Sequence, residues 1–203
     1  MDAVVHAAMR KWPDVPDVYN WLQLDERGRY RIRARDYEFS RRFDAIVNPK
    51  VLEFIGRNYQ SVPDGRWYFQ NGPQRVFVTL AVTPWVYRFN AAGAPVTQVG
   101  HVATRVDAVL IDEHATPILA TDLGPGMVDD RDLPAFLGNL VGRYGEAVDD
   151  EAIDRWIAAP SRASMALKLP ASRLPVQTVE RATLGGRFGF VRAPQPPAGA
   201  NDC

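Results

Sequence analysis

Residues 66–78 read Arg66-Trp67-Tyr68-Phe69-Gln70-Asn71-Gly72-Pro73-Gln74-Arg75-Val76-Phe77-Val78. Two runs rich in aromatic and β-branched residues flank a cluster of turn residues, the pattern of a β-hairpin. Asn71-Gly72 suits a two-residue type I′ turn, but Pro73 lacks the N–H that would close it, so the spacing predicts a four-residue loop from Asn71 to Gln74. In that register Gln70 faces Arg75. Trp67, Phe69, Val76 and Val78 then share one side of the hairpin, while Tyr68, Gln70, Arg75 and Phe77 share the other. The first side is expected in the core. The second combines aromatic area with hydrogen-bonding side chains, the composition of a surface that holds a small molecule or another protein, with Asn71 and Gln74 at its rim. In the competing reading, Gln70 and Arg75 only satisfy the turn and the aromatics lie beneath a helix.

Moving outward, strand signals dominate the first 120 residues. Tyr19 to Leu24 and Gly28 to Arg35 read as a hairpin around Asp25-Glu26-Arg27, with Gly28 free to take an unusual backbone angle. Further strands are expected at Pro84 to Phe89, Pro95 to Val99, Arg105 to Ile111 and Ile118 to Thr121. Leu24-Asp25, Phe89-Asn90 and Ile111-Asp112 open turns of one chemistry: an apolar residue, Asp or Asn, and a Gly or Ala soon after. Asn48 should cap a helix with Pro49 in its first turn and a stripe of Val51, Leu52, Ile55 and Tyr59. Leu133, Phe136, Leu137, Leu140, Val141 and Tyr144 predict another helix, and Asp149 caps one carrying Ile153, Trp156 and Ile157. Residues 160–178, with three prolines, read as surface loop, and Phe188 to Val191 as a last strand. Strands in runs with helices set apart mean an α+β fold: a mainly antiparallel β-sheet built from hairpins with helices packed on one face. Residues 1–192 read as a single globular domain and 193–203 as a mobile Pro/Gly-rich tail.

The chain has 203 residues, 46% hydrophobic and 24% charged, enough for a core without disulfide or metal staples. Lys and Arg total 24 and Asp and Glu total 24, so zero net charge argues against a general polyanion binder; nucleic acid is not an expected partner. The lone cysteine, Cys203, leaves no disulfide framework or cysteine metal cage, which suits a reducing cytoplasm. Residues 1–11 read as a short helix stopped by Pro13 rather than a leader, and no apolar run is long enough to span a membrane.

The neutral sum hides two charged tracts. Arg27, Arg29, Arg31, Arg33 and Arg35 alternate along one arm of a hairpin, so their side chains form a ribbon with Tyr30, Ile32 and Ala34 facing the core. With Arg41 and Arg42, residues 25–42 hold seven arginines against four carboxylates. Such a ribbon, Arg29, Arg31 and Arg33 above all, can clamp an anion, or it can be a solvated edge strand protected from pairing. Residues 122–154 hold nine carboxylates against two arginines. Asp129-Asp130-Arg131-Asp132 could hold a cation but sits where carboxylates cap a helix.

Two functions follow. The first is a non-enzymatic binding or accessory protein that uses the Tyr68, Gln70, Arg75, Phe77 face. The second is an enzyme for a phosphorylated or nucleotide substrate, with the arginine ribbon as clamp and Asp107, Asp112 and Asp129 to Asp132 as bases or ligands. Pairing of the two tracts between subunits would make a homodimer. No cofactor is implied. There is no Gly-x-Ser-x-Gly, no ligand-spaced partner for His6, His101 or His114, and Gly124-Pro125-Gly126 lacks the Gly-Lys-Ser/Thr of a phosphate loop. His101 and Asp107 would form an acid/base pair only if their strand ends converge.

Trp12-Pro13-Asp14-Val15-Pro16, Trp21-Leu22-Gln23-Leu24-Asp25-Glu26-Arg27-Gly28 and the Gly65 to Val76 tract resemble an uncharacterised proteobacterial family of unknown function. The resemblance covers about residues 12–140. It implies a cytosolic bacterial protein and assigns no activity and no site residues.

Overall fold

The computed structural model describes residues 1–34, 42–159, 164–170 and 172–197. The chain divides into two compact units, residues 1–84 with 185–203, and residues 85–184. Both combine strands and helices, and no helix among the described residues is long and apolar enough to cross a membrane. The α+β class stands, but there are two sheets rather than one, and both are mixed rather than antiparallel throughout.

In the first unit, helix α1 spans Ala3–Lys11 and α2 spans Pro49–Arg57. Asn48 caps α2 by accepting from the Lys50 N–H, and Pro49 stands in its first turn, as the sequence predicts. The strands are β1 (Val18–Leu24), β2 (Tyr30–Arg33), β3 (Phe43–Ala45), β4 (Tyr59–Ser61), β5 (Trp67–Asn71) and β6 (Gln74–Leu80), in the sheet order β3-β2-β1-β6-β5-β4. Two antiparallel groups are joined where β1 runs parallel to β6. That pairing brings together residues more than fifty positions apart, which local periodicity does not encode. The β1 register shifts between Val18 and Leu22, and Asn20 takes φ +60° within the bulge.

The second unit carries β7 (Trp85–Phe89), β8 (Pro95–Thr97), β9 (Val106–Asp112), β10 (Pro117–Thr121), β11 (Gly124–Val128), β12 (Leu140–Gly142), β13 (Met165–Lys168) and β14 (Arg173–Val179). Their order is β12-β13-β14-β9-β10-β11-β7-β8, with β11–β7 and β14–β9 parallel. Here the local reading is corrected in three places. The expected helix through Tyr144 stops after α3 (Leu133–Gly138); the Asn139 amide donates to the Ala135 carbonyl, and Leu140 to Gly142 pair with β13 instead. Residues 160–178, expected as loop, supply β13 and most of β14, with Pro175 opposite Ala166 in the ladder. Gly124 to Gly126 is strand. A Cβ at Gly126 would fall inside the Tyr87 ring and against the Trp85 side chain, so glycine is required for the β11–β7 approach. Asp149 does cap α4 (Asp150–Ala158), accepting from the Ala152 N–H.

The turn chemistry read from Asp25, Asn90 and Asp112 is real and recurs. In each turn the first residue's N–H bonds to the carbonyl four residues on, and the fourth residue's N–H returns to the first carbonyl, with that fourth residue left-handed. This is a type I turn closed by a G1 bulge. Turns 62–66, 97–101 and 142–146 repeat it. The left-handed residue is glycine everywhere except Ala115, at φ +59°. Phe188 to Val191 does not form a strand: α5 (Leu184–Phe188) is followed by a single parallel bridge from Val191 to Arg66.

Candidate functional site

The hairpin register is as the sequence predicts, with Tyr68 opposite Phe77, Phe69 opposite Val76, Gln70 opposite Arg75 and Asn71 opposite Gln74. The four-residue loop expected from Asn71 to Gln74 is shorter: both residues pair as strand, and the strands close on Gly72-Pro73, with Gly72 at φ +59°. Of the face expected in the core, Phe69 and Val78 are buried as expected while Trp67 and Val76 are half-buried; the other face departs from expectation. Gln70 is 0% exposed, Phe77 1% and Tyr68 6%, so three of the four residues of the face expected to meet a ligand are interior, and Arg75 is half-buried. Tyr19 stacks on Phe77 with ring centroids 4.7 Å apart, and Tyr68 lies 5.8 Å from Phe77. The Arg66 guanidinium covers Phe77 at 4.6 Å while donating to the Tyr19 hydroxyl at 3.0 Å, and Gln60 donates to the Tyr68 hydroxyl at 2.6 Å. Gln70 donates to the Gly72 carbonyl at 2.9 Å, the turn-satisfying role. Its Oε1 has no hydrogen-bond partner. Arg75 lies over the Tyr68 ring at 5.5 Å. The aromatic rings demand burial more strongly than the amide resists it.

The opposite face is the open one. Between α2 and the β1, β2, β5 and β6 surface lies a groove of about 500 Å³. Val51, Phe54 and Ile55 form its helical wall, and Val18, Trp21, Leu22 and Ile32 line it from β1 and β2. Phe69 and Val76 form the hairpin side, with Phe54 edge-on to Phe69 at 5.4 Å. Ile46 completes the apolar lining. The polar side chains in the lining are Asn71 and Gln74, the two residues that the sequence places at the rim of the hairpin. Gln74 donates its amide to the Pro16 carbonyl at 3.1 Å. Next to this face, Tyr59 packs between Tyr30 and Trp67 and donates its hydroxyl to the Pro84 carbonyl at 3.0 Å. Burial pushes that phenol well above its ordinary range, so it stays protonated.

The groove residues outside the hairpin were not legible as a site. Val51 and Ile55 read as a helix's core stripe, yet Val51 remains 40% exposed and Ile32, expected in the core, 44%. Trp21 and Leu22 are consecutive and would alternate on a regular strand; the bulge at Asn20 lets both line the groove.

The arginine ribbon is placed differently from expectation. β2 is interior, between β1 and β3. Arg29 Nε pairs with Asp25 at 2.8 Å, Arg31 donates to the Phe43 carbonyl at 2.7 Å, and Arg33 sits opposite Phe43. Asp25 also accepts from the Arg27 and Arg29 N–H groups, so this carboxylate organises the turn and its arginines together. Arg35 and Arg41 lie outside the described residues, as does the tail from residue 198.

Carboxylates proposed for chemistry are likewise engaged in structure. Asp112 accepts from the His114 and Thr116 N–H groups and pairs with Arg181 at 2.6 Å, its side chain wholly buried. Asp129 accepts from the Arg131 backbone and pairs with its guanidinium, which together hold that carboxyl below its ordinary range although burial opposes them. Asp132 accepts from Arg88 at 2.9 Å and from the Phe89 N–H at 2.6 Å. Asp107 pairs with Arg105 at 2.6 Å, while His101 stands against the Trp85 ring; the strand ends do not bring them together as an acid/base pair. Among the described residues no three His, Cys, Asp or Glu side chains converge as a metal site.

A family model described as "Protein of unknown function (DUF2946)" matches residues 1–195. The chain belongs to this family. Among curated proteins, none matches it. Among solved structures it is similar to a DUF1285 family protein from Silicibacter pomeroyi, 14% identical, with a TM-score of 0.49 over 88% of this chain and 97% of that one.

Proposed function

We propose that this member of a family of unknown function is a binding or accessory protein of the bacterial cytoplasm whose site is the α2 groove, and that it holds an apolar small molecule there. The observation that carries this reading is the exposure of Ile32 and Val51 on facing walls of a 500 Å³ cavity. Fully burying such a side chain contributes roughly 1.5–3 kcal/mol, part of which both residues forgo in the free protein and recover when the groove is filled. The volume lies within the range of small-molecule sites, as does an apolar lining with a few polar groups at one end. Asn71 and Gln74 keep the binding role read for them, approached from the other side of the hairpin. Native mass spectrometry of protein purified from its host tests this. A retained small molecule in the parent, absent from Val51→Arg, is the expected result; no retained molecule, or equal retention in Val51→Arg, overturns it.

A further inference from the structure

The lining chemistry also specifies the class of ligand, given that the groove is the binding site. None of its lining residues carries a charge. An ionised head brought against these walls would lose hydration with no partner charge to offset the cost, whereas a neutral head needs only hydrogen bonds. Those are available at one end. Asn71 stands directly across the ladder from Gln74. The Asn71 side chain has no hydrogen-bond partner among the described residues, so its amide offers both donors and an acceptor. Gln74 spends a donor on the Pro16 carbonyl, which leaves its Oε1 as an acceptor. We infer that the groove selects an uncharged amphiphile: an apolar body with one amide-like head that donates to Gln74 Oε1 and exchanges hydrogen bonds with Asn71. A carboxylate of the same length can only accept, and would face the Gln74 oxygen with no proton to give.

The matched probes octanamide and sodium octanoate at pH 8 separate head from body. Titration calorimetry on the full chain is expected to show octanamide binding at least tenfold more tightly than octanoate, with both lost in Val51→Arg. Asn71→Ala should weaken octanamide about tenfold. Equal or tighter binding of octanoate, still lost in Val51→Arg, overturns the neutral-head inference while the groove remains a binding site. Binding of neither probe, or binding that survives Val51→Arg, overturns the groove itself. Circular dichroism of each variant confirms that the comparison is between folded proteins.

Discussion

The two faces of the 66–78 hairpin both combine apolar and amide side chains, Gln70 with Arg75 on one and Asn71 with Gln74 on the other, yet they are covered differently. On one face Tyr19 and Arg66 close over Phe77, and even a glutamine is fully buried. On the other, Phe69 and Val76 border a groove that α2 only partly roofs. Strand alternation determines which side chains share a face. What covers each face is set by elements far away in sequence, here the β1 bulge and the parallel β1–β6 pairing. Gln70 is therefore withdrawn from solvent and Arg75 half so, while the groove opens on the side that the alternation assigned to the core.

The contrast breaks most readily at Phe77. Phe77→Ala removes a ring that stacks on Tyr19 and contacts the Arg66 guanidinium, and a loss of about 3–5 kcal/mol is expected in urea denaturation. A loss under about 1 kcal/mol would show the face to be open. Ile32→Ala, on the groove wall, should cost less, about 1–2 kcal/mol, because the side chain is already half in water. A cost as large as that of Phe77→Ala would mean the groove is closed in solution. Gln70→Met should lie within about 1 kcal/mol of the parent. The variant gives up a hydrogen bond to Gly72 but also removes a buried Oε1 that has no partner. A penalty above about 3 kcal/mol would reveal a donor to that oxygen and a working polar site on the sealed face.

Local chemistry was legible in the sequence wherever a few adjacent residues decide the outcome. The Asn48 and Asp149 caps, the Gln70–Arg75 register and the turns begun by Asp25, Asn90 and Asp112 all follow from short-range hydrogen bonding. The helix expected through Leu140, Val141 and Tyr144 failed because apolar spacing of three and four also fits a short helix followed by a strand, and Asn139 ends the helix between them. Gly124-Pro125-Gly126 carries no strand propensity, and its place in the sheet depends on the Tyr87 ring lying over Gly126. Of the candidate site, the sequence singles out Asn71 and Gln74, which line the groove, but the cavity itself was not readable. It needs Val18 and Trp21 from either side of a bulge, Ile32 from a second strand and Val51 from a helix, and no periodicity links them.

The finest test of the sealed face concerns how Arg66 is held over Phe77. Asp64 binds the Arg66 Nε through both carboxylate oxygens, at 3.0 and 2.9 Å, and accepts from the Arg66 N–H. The Arg66 side chain first, and its backbone second, draw the Asp64 carboxyl below its ordinary value, against a smaller opposing effect of burial. Because the folded value is depressed, the stabilisation is fully present above the unfolded value near 3.8 and is lost as pH falls through the folded one. Asp64→Asn should consequently be slightly less stable than the parent at pH 7, and the two urea midpoints should converge as pH falls through the folded value. The effect is small, since an exposed pair is well screened. A midpoint difference that persists unchanged below the folded value would mean that Asp64 acts through turn geometry alone, and that Arg66 stays over the Phe77 ring through its contact with the ring and the Tyr19 hydroxyl.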